Sequence, residues 1–537
     1  MRKPIYYSLV GLLAAAPAFS LAAENPRYFD VTRYGAEPDG VTPDDKAINQ
    51  AIDAAVAAGG GTVYFPAGTF LSGSIHLKSN VTLFLEQGAT ILASTNPADY
   101  DSPEPNQWEK FQDFGHSHFR NSLIWGENLE NIAILGTGRI WGKGLIRSTG
   151  RAANPPATGR PAVPQPAANQ NTELQPPDRA VPGNKAISLK MCHNVIIKDV
   201  SILMGGWFAI LATGVDNLTI DNVKIDTNRD GIDIISCRNV RISNSSVNSP
   251  YDDGICLKSD FSLGFARAVE NVTITNSQVS GYDVGTFLDG TFQRKAVYGR
   301  NHNDGPTGRI KFGTESNGGF KNIAISNVVF DYCRGLALET VDGAMLEDVA
   351  ISNVTMRDIV NAPIFLRLGA RMRGPEGAPV GVLRRVSLSD FVVYNADPRF
   401  GSIIAGIPGH DIEDIRLNNI RIYYQGGGTK EQAALAPQEL EKAYPEPRMF
   451  GEIPAYGFFI RHVNGLEMND VQISVMKDDL RPALVLDSVR NVEFRNLKAQ
   501  HAADVPVFVL KNVENFELRE SRGIADTVLK SVDQKSF

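Results

Sequence analysis

Three aspartates are the residues of this sequence best suited to acid–base chemistry. Segments 230–234 (DGIDI) and 253–257 (DGICL) are nearly the same string 23 residues apart, and Asp252 precedes the second. If both are strands of successive layers in one register, Asp230 and Asp253 lie about 4.7–4.9 Å apart along the stack. Carboxylates this close repel, which raises the pKa of at least one of them. Acid–base hydrolysis of a glycosidic bond requires one protonated and one ionised carboxyl group.

Other aspartates in the same region have a simpler interpretation. Most Asp-Gly pairs make turns at the ends of strands, because both residue types favour turn conformations. Asp233 and Asp260 are assigned to such structural positions. Stacked like charges with no structural need are costly, so the cluster requires a different explanation. We therefore predict Asp230, Asp252 and Asp253 as catalytic residues.

An internal repeat must position these acids. An Asn or Asp followed by alternating apolar residues recurs along the chain, for example at 217–220 (NLTI), 239–242 (NVRI), 271–274 (NVTI) and 515–518 (NFEL). Spacings of 22 to 24 residues are too short for a unit with a helix and a strand, and they suit one coil of a β-solenoid. The sequence therefore predicts an all-β fold, a right-handed parallel β-helix, with function on the loops between its strands.

A helix and two interruptions complete this organisation. Residues 42–45 (TPDD) carry an N-cap and a proline at the first helical position, and helical spacing of apolar residues continues to the glycines at 59–61. We expect this short N-terminal helix to cap the open first coil. The stretch at about 151–184 is rich in Pro and Ala, so we expect a disordered insertion. A second insertion at about 428–450 is expected to be partly helical.

The first residues resemble a secretory signal. Residues 2–3 (RK) are followed by an apolar run at 5–21 and by small residues. A membrane anchor is the alternative, but the run is short and Pro17 breaks it. We expect residues 1–23 to be a signal peptide and residues 24–537 to be one β-helix catalytic domain, secreted or periplasmic.

Charge and cysteine content exclude several classes of function. Removal of Arg2 and Lys3 with the signal changes the formal charge from −7 to −9, and the sequence contains no cluster of Lys and Arg residues. Nucleic acid and membrane partners are therefore not expected. The four cysteines are Cys192, Cys237, Cys256 and Cys333. They are too few for a disulfide scaffold and lack paired metal spacing, which favours small core residues. His116 and His118 lack a third ligand at metal spacing, so no metal is expected.

Longer motifs point to one family. Residues 28–36 and 63–68 resemble the N-terminal cap of pectin-degrading β-helix proteins, and residues 228–233 (NRDGID) and 252–259 (DDGICLKS) resemble two ordered acid motifs. Together they resemble glycoside hydrolase family 28, the polygalacturonases, from about residue 27 to at least 360. The resemblance implies a monomeric inverting glycosidase without a cofactor, acting on pectic polysaccharide or oligosaccharide of the plant cell wall.

The resemblance also implies roles for the acids. Asp252 corresponds to the general acid, and Asp230 and Asp253 correspond to the pair that holds the attacking water. The chain departs from the family at Arg229, where Asn-Thr-Asp is usual, and at residues 307–309 (TGR), where a Gly-His-Gly turn is expected.

Substrate recognition is where a third departure is expected. The family's Arg-Ile-Lys, which grips a galacturonate carboxylate, is aligned with residues 337–339 (ALE). Alternation turns Ala337 and Glu339 outward, and Glu339 would repel a uronate, so a short oligosaccharide or a neutral sugar beside the cleaved bond is expected. An insertion at 262–310 would close one end of the cleft and favour exo action. The predicted substrate-binding residues are Asn228, Lys258, Arg309, Lys311, Arg334 and Glu339, with Trp207 as a sugar-stacking platform.

Two other functions fit parts of the sequence. A calcium-dependent pectate lyase shares the β-helix, and the three aspartates are oxygen ligands of the kind that calcium takes. A non-catalytic glycan-binding β-solenoid fits the repeats but leaves the acid cluster unexplained.

Overall fold

The computed structural model describes Met1 and residues 28–147, 183–294 and 305–537. The predicted signal peptide and most of the predicted insertion at 151–184 lie outside the described residues. Asn184 lies inside them and is buried, and its carbonyl accepts a hydrogen bond from the Trp207 amide at 2.7 Å. Asn184, at the approximate end of the expected insertion, is therefore part of a folded coil.

Thirty-four strands occur in the described part of the chain. The first are β1 Tyr28–Asp30, β2 Asp39–Pro43, β3 Gly61–Phe65, β4 Gly68–Ser72, β5 Ile75–His76, β6 Val81–Leu85, β7 Ala89–Ala93, β8 Ile124–Glu127, β9 Glu130–Leu135 and β10 Arg139–Trp141. Next come β11 Lys185–Lys190, β12 His193–Lys198, β13 Ser201–Leu203, β14 Phe208–Thr213, β15 Asp216–Asp221, β16 Lys224–Asp226, β17 Asp230–Ile235, β18 Arg238–Ser243, β19 Ser246–Asn248, β20 Ile255–Ser259 and β21 Val269–Ser280. The last are β22 Ile310–Ser316, β23 Phe320–Asp331, β24 Leu336–Thr340, β25 Met345–Arg357, β26 Ile364–Leu368, β27 Val382–Ala396, β28 Ser402–Ala405, β29 Ile412–Gly426, β30 Phe458–Lys477, β31 Leu484–Arg495, β32 Lys498–Ala499, β33 Phe508–Arg519 and β34 Thr527–Ser536.

The strands stack as a three-sided coil. β17, β18 and β19 form one coil, and each pairs in parallel with a strand of the previous coil, β14, β15 and β16. β8, β11, β14, β17, β20, β22, β24, β26 and β28 stack along one side, which we call the site face. From β21 onward the other two sides run on as single long strands. This topology confirms the predicted parallel β-helix.

The core of the coil is a set of apolar columns. On the site face Ile210 pairs with Ile232, Ile232 with Ile255, and Ile255 with Ile310, and all four are fully buried. Each such side chain stabilises the fold by about 1.5–3 kcal/mol relative to an exposed one. The alternation that buries these residues turns the residues between them outward.

The asparagines of the sequence repeat occupy the turns before strands. Asn217 has a φ of 55°, a left-handed conformation that Asn tolerates better than most residues. Its Nδ2 donates to Asn194 Oδ1 at 3.0 Å, and its Oδ1 accepts from Asn239 Nδ2 at 3.4 Å. The repeat therefore places a ladder of hydrogen-bonded amides along one corner.

The predicted capping helix is present. α1 spans Asp45–Ala57 and buries Ile48, Ala51, Ile52 and Ala55. It begins later than predicted, because Pro43 ends β2 and Asp44 precedes the helix without a side-chain capping bond. Asp44 instead accepts from the Glu37 amide at 2.7 Å, and burial raises the pKa of its carboxyl group to about 6.

The second insertion folds over the site face. It contains helix α3, Lys430–Ala433, and a 3-10 helix, Pro447–Phe450. Phe450 packs with Phe365 of β26, Ile403 of β28 and Phe459 of β30, so an apolar cluster anchors the segment. The other helices are α2, Phe114–Ser117, and 3-10 helices Val31–Tyr34, Pro97–Asp99 and Glu109–Phe111.

Two smaller expectations concern the cysteines and membranes. The four cysteines are buried as free thiols, in agreement with their interpretation as core residues. Among the described residues, no helix has the length and apolar character that crossing a membrane requires.

Candidate active site

The strand register brings the three predicted acids together. Ile232 pairs with Ile255, which sets Asp230 and Asp253 one coil apart, as the sequence predicts. One carboxylate oxygen each of Asp230, Asp252 and Asp253 lies within 4.8 Å of the other two. Asp230 and Asp253 are each 3% exposed, whereas the Asp252 side chain is 33% exposed.

A glycine allows this close approach. The Gly231 amide donates to the Asp253 carbonyl at 3.0 Å. A Cβ at position 231 would stand 2.3 Å from the Gly254 carbonyl oxygen, so only glycine fits between the coils.

Asp253 is the ionised member of the cluster. Arg309 Nε donates to its Oδ1 at 2.9 Å, and Lys311 Nζ lies 3.5 Å from its Oδ2. Burial alone would raise the pKa of Asp253, but the charges of Lys311, Arg309 and Lys258 outweigh burial and hold it at about 2. Asp253 is therefore ionised at neutral pH.

Asp230 has the opposite preference. Burial raises its pKa well above the ordinary range, and the charges of Asp252 and Asp233 raise it further against Lys258 and Arg229. Its Oδ1 is buried and has no hydrogen-bond partner among the described residues. The surroundings therefore favour the protonated form of Asp230 beside the charge at Asp253.

Asp252 faces the solvent beside an arginine. Arg229 Nε donates to Asp252 Oδ2 at 3.1 Å and lies 3.8 Å from Asp230 Oδ2. The Asp253 amide donates to Asp252 Oδ1 at 3.1 Å. Arg229, which replaces the usual threonine of the family motif, is thus in contact with two of the three acids.

The expectation that Trp207 is a sugar-stacking platform is wrong. Trp207 is 2% exposed and packs with Phe208 and Phe114. The Arg229 guanidinium covers its ring, with 4.4 Å between the guanidinium carbon and the ring centroid. No ring face is left for a sugar, and Trp207 instead supports the arginine that contacts Asp252.

Lys258 lies on the site face but is not a free cation. Its buried Nζ donates to Asp233 Oδ2 at 2.7 Å and lies 3.0 Å from His116 Nε2. The assignment of Asp233 to a turn is wrong, because Asp233 lies inside β17 and points outward into this ion pair. Asp260 accepts from the Ser262 amide and hydroxyl and does make a turn.

Arg309 and Arg334 share a carboxylate that the sequence does not predict. Arg309 contacts both carboxylate oxygens of Glu446, and Arg334 Nη1 lies 3.2 Å from Glu446 Oε1. Glu446 belongs to the insertion that covers the site face and is 5% exposed. The signal that points to it is the position of the insertion, since the residue itself matches no motif.

Glu339 does not face a substrate, so its predicted role as a repelling group is wrong. It points outward from β24, as alternation requires, but the insertion covers it and it is fully buried. Lys311 Nζ lies 3.7 Å from its Oε2. Burial raises the pKa of Glu339 to about 8, although Lys311 and Arg309 oppose that rise.

Residues 337–339, which are aligned with the family's Arg-Ile-Lys, are closed to a sugar. Ala337 is fully buried in the same apolar cluster as Phe450, so it has no access to a sugar. The chain carries its own Arg-Ile-Lys at 309–311, one coil earlier, and both cations reach Asp253. Residues 309–311 therefore place an arginine and a lysine beside the acid cluster, where residues 337–339 place none.

Two further groups border the cluster. Asn228 precedes Arg229, and its Oδ1 is buried without a hydrogen-bond partner in the described ranges. On the other side, Asp113, His116 and Glu315 lie close enough to hold a metal ion. Arg373 Nη1 already occupies that group, 3.0 Å from Asp113 and 3.5 Å from Glu315.

The insertion expected at 262–310 contains β21, Val269–Ser280, which is part of the coil, so its predicted bounds are too wide; residues 281–294 reach the acid cluster from the side. The amides of Phe287 and Leu288 both donate to Asp226 Oδ2 at 3.0 Å. Asp226 ends β16, four residues before Asp230. The described part of this insertion therefore packs on the turn that leads into the acid cluster.

Known families match two parts of the chain. Residues 28–99 match the family described as rhamnogalacturonase A/epimerase, pectate lyase-like. Residues 182–300 and 208–370 match the right-handed beta helix region, which confirms the predicted hand of the coil.

Relatives and solved structures are similar to the chain at low identity. An exo-poly-alpha-D-galacturonosidase of Dickeya chrysanthemi is 29% identical over 274 residues, which is 45% of this chain and only 42% of that protein. A "Probable polygalacturonase" of Vitis vinifera is 23% identical over 413 residues, 73% of each chain. The family 28 exopolygalacturonase of Yersinia enterocolitica has a similar fold, with a TM-score of 0.59, 19% identity and coverage of 89% of this chain and 79% of that one.

Proposed function

We propose that this chain is a polygalacturonase-like β-helix protein of glycoside hydrolase family 28. Its proposed activity is that of a glycosidase that hydrolyses a pectic polysaccharide or oligosaccharide. The observation that carries the proposal is the close approach of three carboxyl groups in different surroundings. Asp230, whose pKa is raised by burial, and Asp253, whose pKa is held low by Arg309 and Lys311, lie within 4.8 Å of a partly exposed Asp252. Hydrolysis of a glycosidic bond needs both forms of the carboxyl group at one place.

The proposed mechanism uses the three acids in different roles. Asp252, the exposed member, donates a proton to the leaving oxygen. Asp253 and Asp230 orient the attacking water, and Asp253, which the Arg309 and Lys311 cations keep ionised, accepts the proton that the water loses. Burial favours the proton on Asp230 in the free protein, so this proton must pass to Asp252, its neighbour within the cluster, when a substrate binds.

Inversion is part of the proposal and rests on the family resemblance. The acids' nearest oxygens lie within 4.8 Å, closer than the carboxyl separations typical of inverting (about 6.5–9.5 Å) or retaining enzymes (about 5–5.5 Å). Distance therefore does not decide the stereochemistry. Proton NMR of the first sugar released shows directly whether its anomer is inverted.

Hydrolysis of homogalacturonan and rhamnogalacturonan fragments tests the reaction class. We expect saturated products with new reducing ends. Asp252→Asn is expected to lose turnover on natural fragments but to keep much of it on aryl glycosides, whose leaving groups need no proton. Asp253→Asn is expected to lose both activities, because water activation is needed for either substrate. Equal losses on both substrates in Asp252→Asn would remove Asp252 from the donor role.

The pectate lyase alternative is less well supported. Arg229, Arg309 and Lys311 already supply positive charge to the three aspartates, which disfavours a calcium ion among them. A lyase would lose activity in a chelator and form an unsaturated product that absorbs ultraviolet light. A non-catalytic glycan-binding solenoid predicts no product at all from any fragment.

Export, a monomeric state and exo action are further parts of the proposal. The N-terminal signal sequence supports export, and detection of the mature protein outside the cytoplasm tests it. Packing of the 262–310 insertion beside Asp226 supports a cleft closed at one end. Release of single sugars from chain ends, without early loss of polymer length, is the expected pattern.

A further inference from the structure

We propose that Glu446 is a built-in carboxylate that fills the anion-binding position next to the acid cluster, so that the sugar bound there is neutral. The inference rests on the proposed function, because it assigns the sugar class taken by one part of the same cleft.

The position that Glu446 occupies has the properties of an anion site. Arg309 approaches both oxygens of its carboxylate, and Arg334 approaches Oε1 at 3.2 Å. Two guanidinium groups around one carboxylate are the arrangement that proteins use to bind a carboxylate ligand. Arg309 also donates to Asp253 at 2.9 Å, so the position adjoins the acid cluster directly.

The segment that carries Glu446 is anchored. Glu446 precedes the 3-10 helix Pro447–Phe450, and Phe450 is buried with Phe365, Ile453 and Phe459. Moving Glu446 out of the site would expose that apolar cluster to water, which opposes displacement by a substrate. We therefore treat Glu446 as a fixed part of the cleft wall.

The cations around this position already have carboxyl groups beside them. Arg309 is shared between Asp253 and Glu446, Arg334 pairs with Glu446, and Lys311 lies between Asp253 and Glu339. A uronate at this position would bring a further negative charge beside Glu446 without a new cation to meet it. A neutral sugar avoids this cost. The preference for a neutral sugar that was expected from Glu339 is therefore explained by Glu446.

Binding of galacturonate and of galactose to the full-length protein tests the inference. The two sugars differ by one carboxylate, and titration calorimetry measures their dissociation constants without turnover. In the natural protein we expect constants within about threefold of each other. In Glu446→Ala, which removes the carboxylate that Arg309 and Arg334 share, galacturonate is expected to bind about tenfold or more tightly, as for one gained charge-assisted bond, with galactose unchanged.

Glu431→Gln is the matched control, because Glu431 lies exposed in the same insertion, outside the cluster. It is expected to leave both constants unchanged. A natural protein that already prefers galacturonate by tenfold overturns the inference, even if Glu446→Ala fails to fold. A folded Glu446→Ala with no gain for galacturonate overturns it as well. If the natural protein hydrolyses no pectic fragment but Glu446→Ala still binds galacturonate more tightly, the proposed function is refuted and the anion site is supported.

Discussion

Replacing Arg309 with glutamine is expected to weaken the fold and to alter the ionisation of Asp253. Arg309 is almost completely buried and is hydrogen-bonded to Asp253 and to Glu446. Removing one partner of a buried ion pair costs about 3–5 kcal/mol, because the remaining charge is left without compensation. Lys311 and Arg334 still neighbour the two carboxylates, so we expect the lower end, about 3 kcal/mol.

The Arg309→Gln substitution also shifts the pH dependence of stability and of kcat/KM toward higher pH. The pKa of Asp253 is held at about 2, so its ionised form stabilises the folded protein above the ordinary value of 3.8, and this contribution is lost as pH falls through about 2. Without Arg309 that pKa rises, and the contribution is lost at higher pH. If Asp253 acts on water, the acid limb of kcat/KM rises in pH with it.

Denaturant unfolding at neutral pH and at pH 4, together with kcat/KM across the acid range, measures both effects. Arg241→Gln serves as the control, because Arg241 is exposed on β18 and its guanidinium donates to the Thr219 hydroxyl. A stability loss of less than about 1 kcal/mol, the range of an exposed ion pair, with an unmoved acid limb would refute the argument from burial.

Three further predictions concern separate parts of the molecule. Asp252→Asn should lower kcat on natural pectic fragments by about 100-fold to 10,000-fold, the range of general acid catalysis, and near-normal turnover would contradict its role. Asn217→Ala, at a φ of 55° with two amide partners, should lower the free energy of unfolding by about 1–3 kcal/mol in urea, whereas Asn217→Gly should lower it less. Burial lowers the pKa of Lys185 to about 7 from its ordinary value of 10.5. The buried positive charge therefore destabilises the folded protein fully below pH 7, and this destabilisation disappears as pH rises to 10.5. Lys185→Met should therefore raise the free energy of unfolding at pH 6 by about a few kcal/mol, the order set by that pKa change, and by much less at pH 10. An equal gain at the two pH values would contradict this prediction.

Sequence alone determined the coil and the stacking of the acids. The Asn-initiated repeat predicts the β-helix because the same left-handed turn and apolar alternation recur in every coil. The near-identical strings at 230–234 and 253–257 predict their own register, since a slip of one residue would turn their isoleucines outward. These signals are local and repeated, and they can be read without the rest of the chain.

Tertiary structure alone decided which charges surround the acids. Glu446 meets Arg309 across 137 residues of sequence, through an insertion that follows no repeat. Outward alternation correctly orients Glu339, but only the packing of the insertion shows that it is buried. The sequence likewise predicts Trp207 as a sugar-stacking platform, and only the structure shows that Arg229 covers its ring. Ionisation and access depend on what lies within a few ångströms in space, and in a β-helix those neighbours come from other coils and inserted loops.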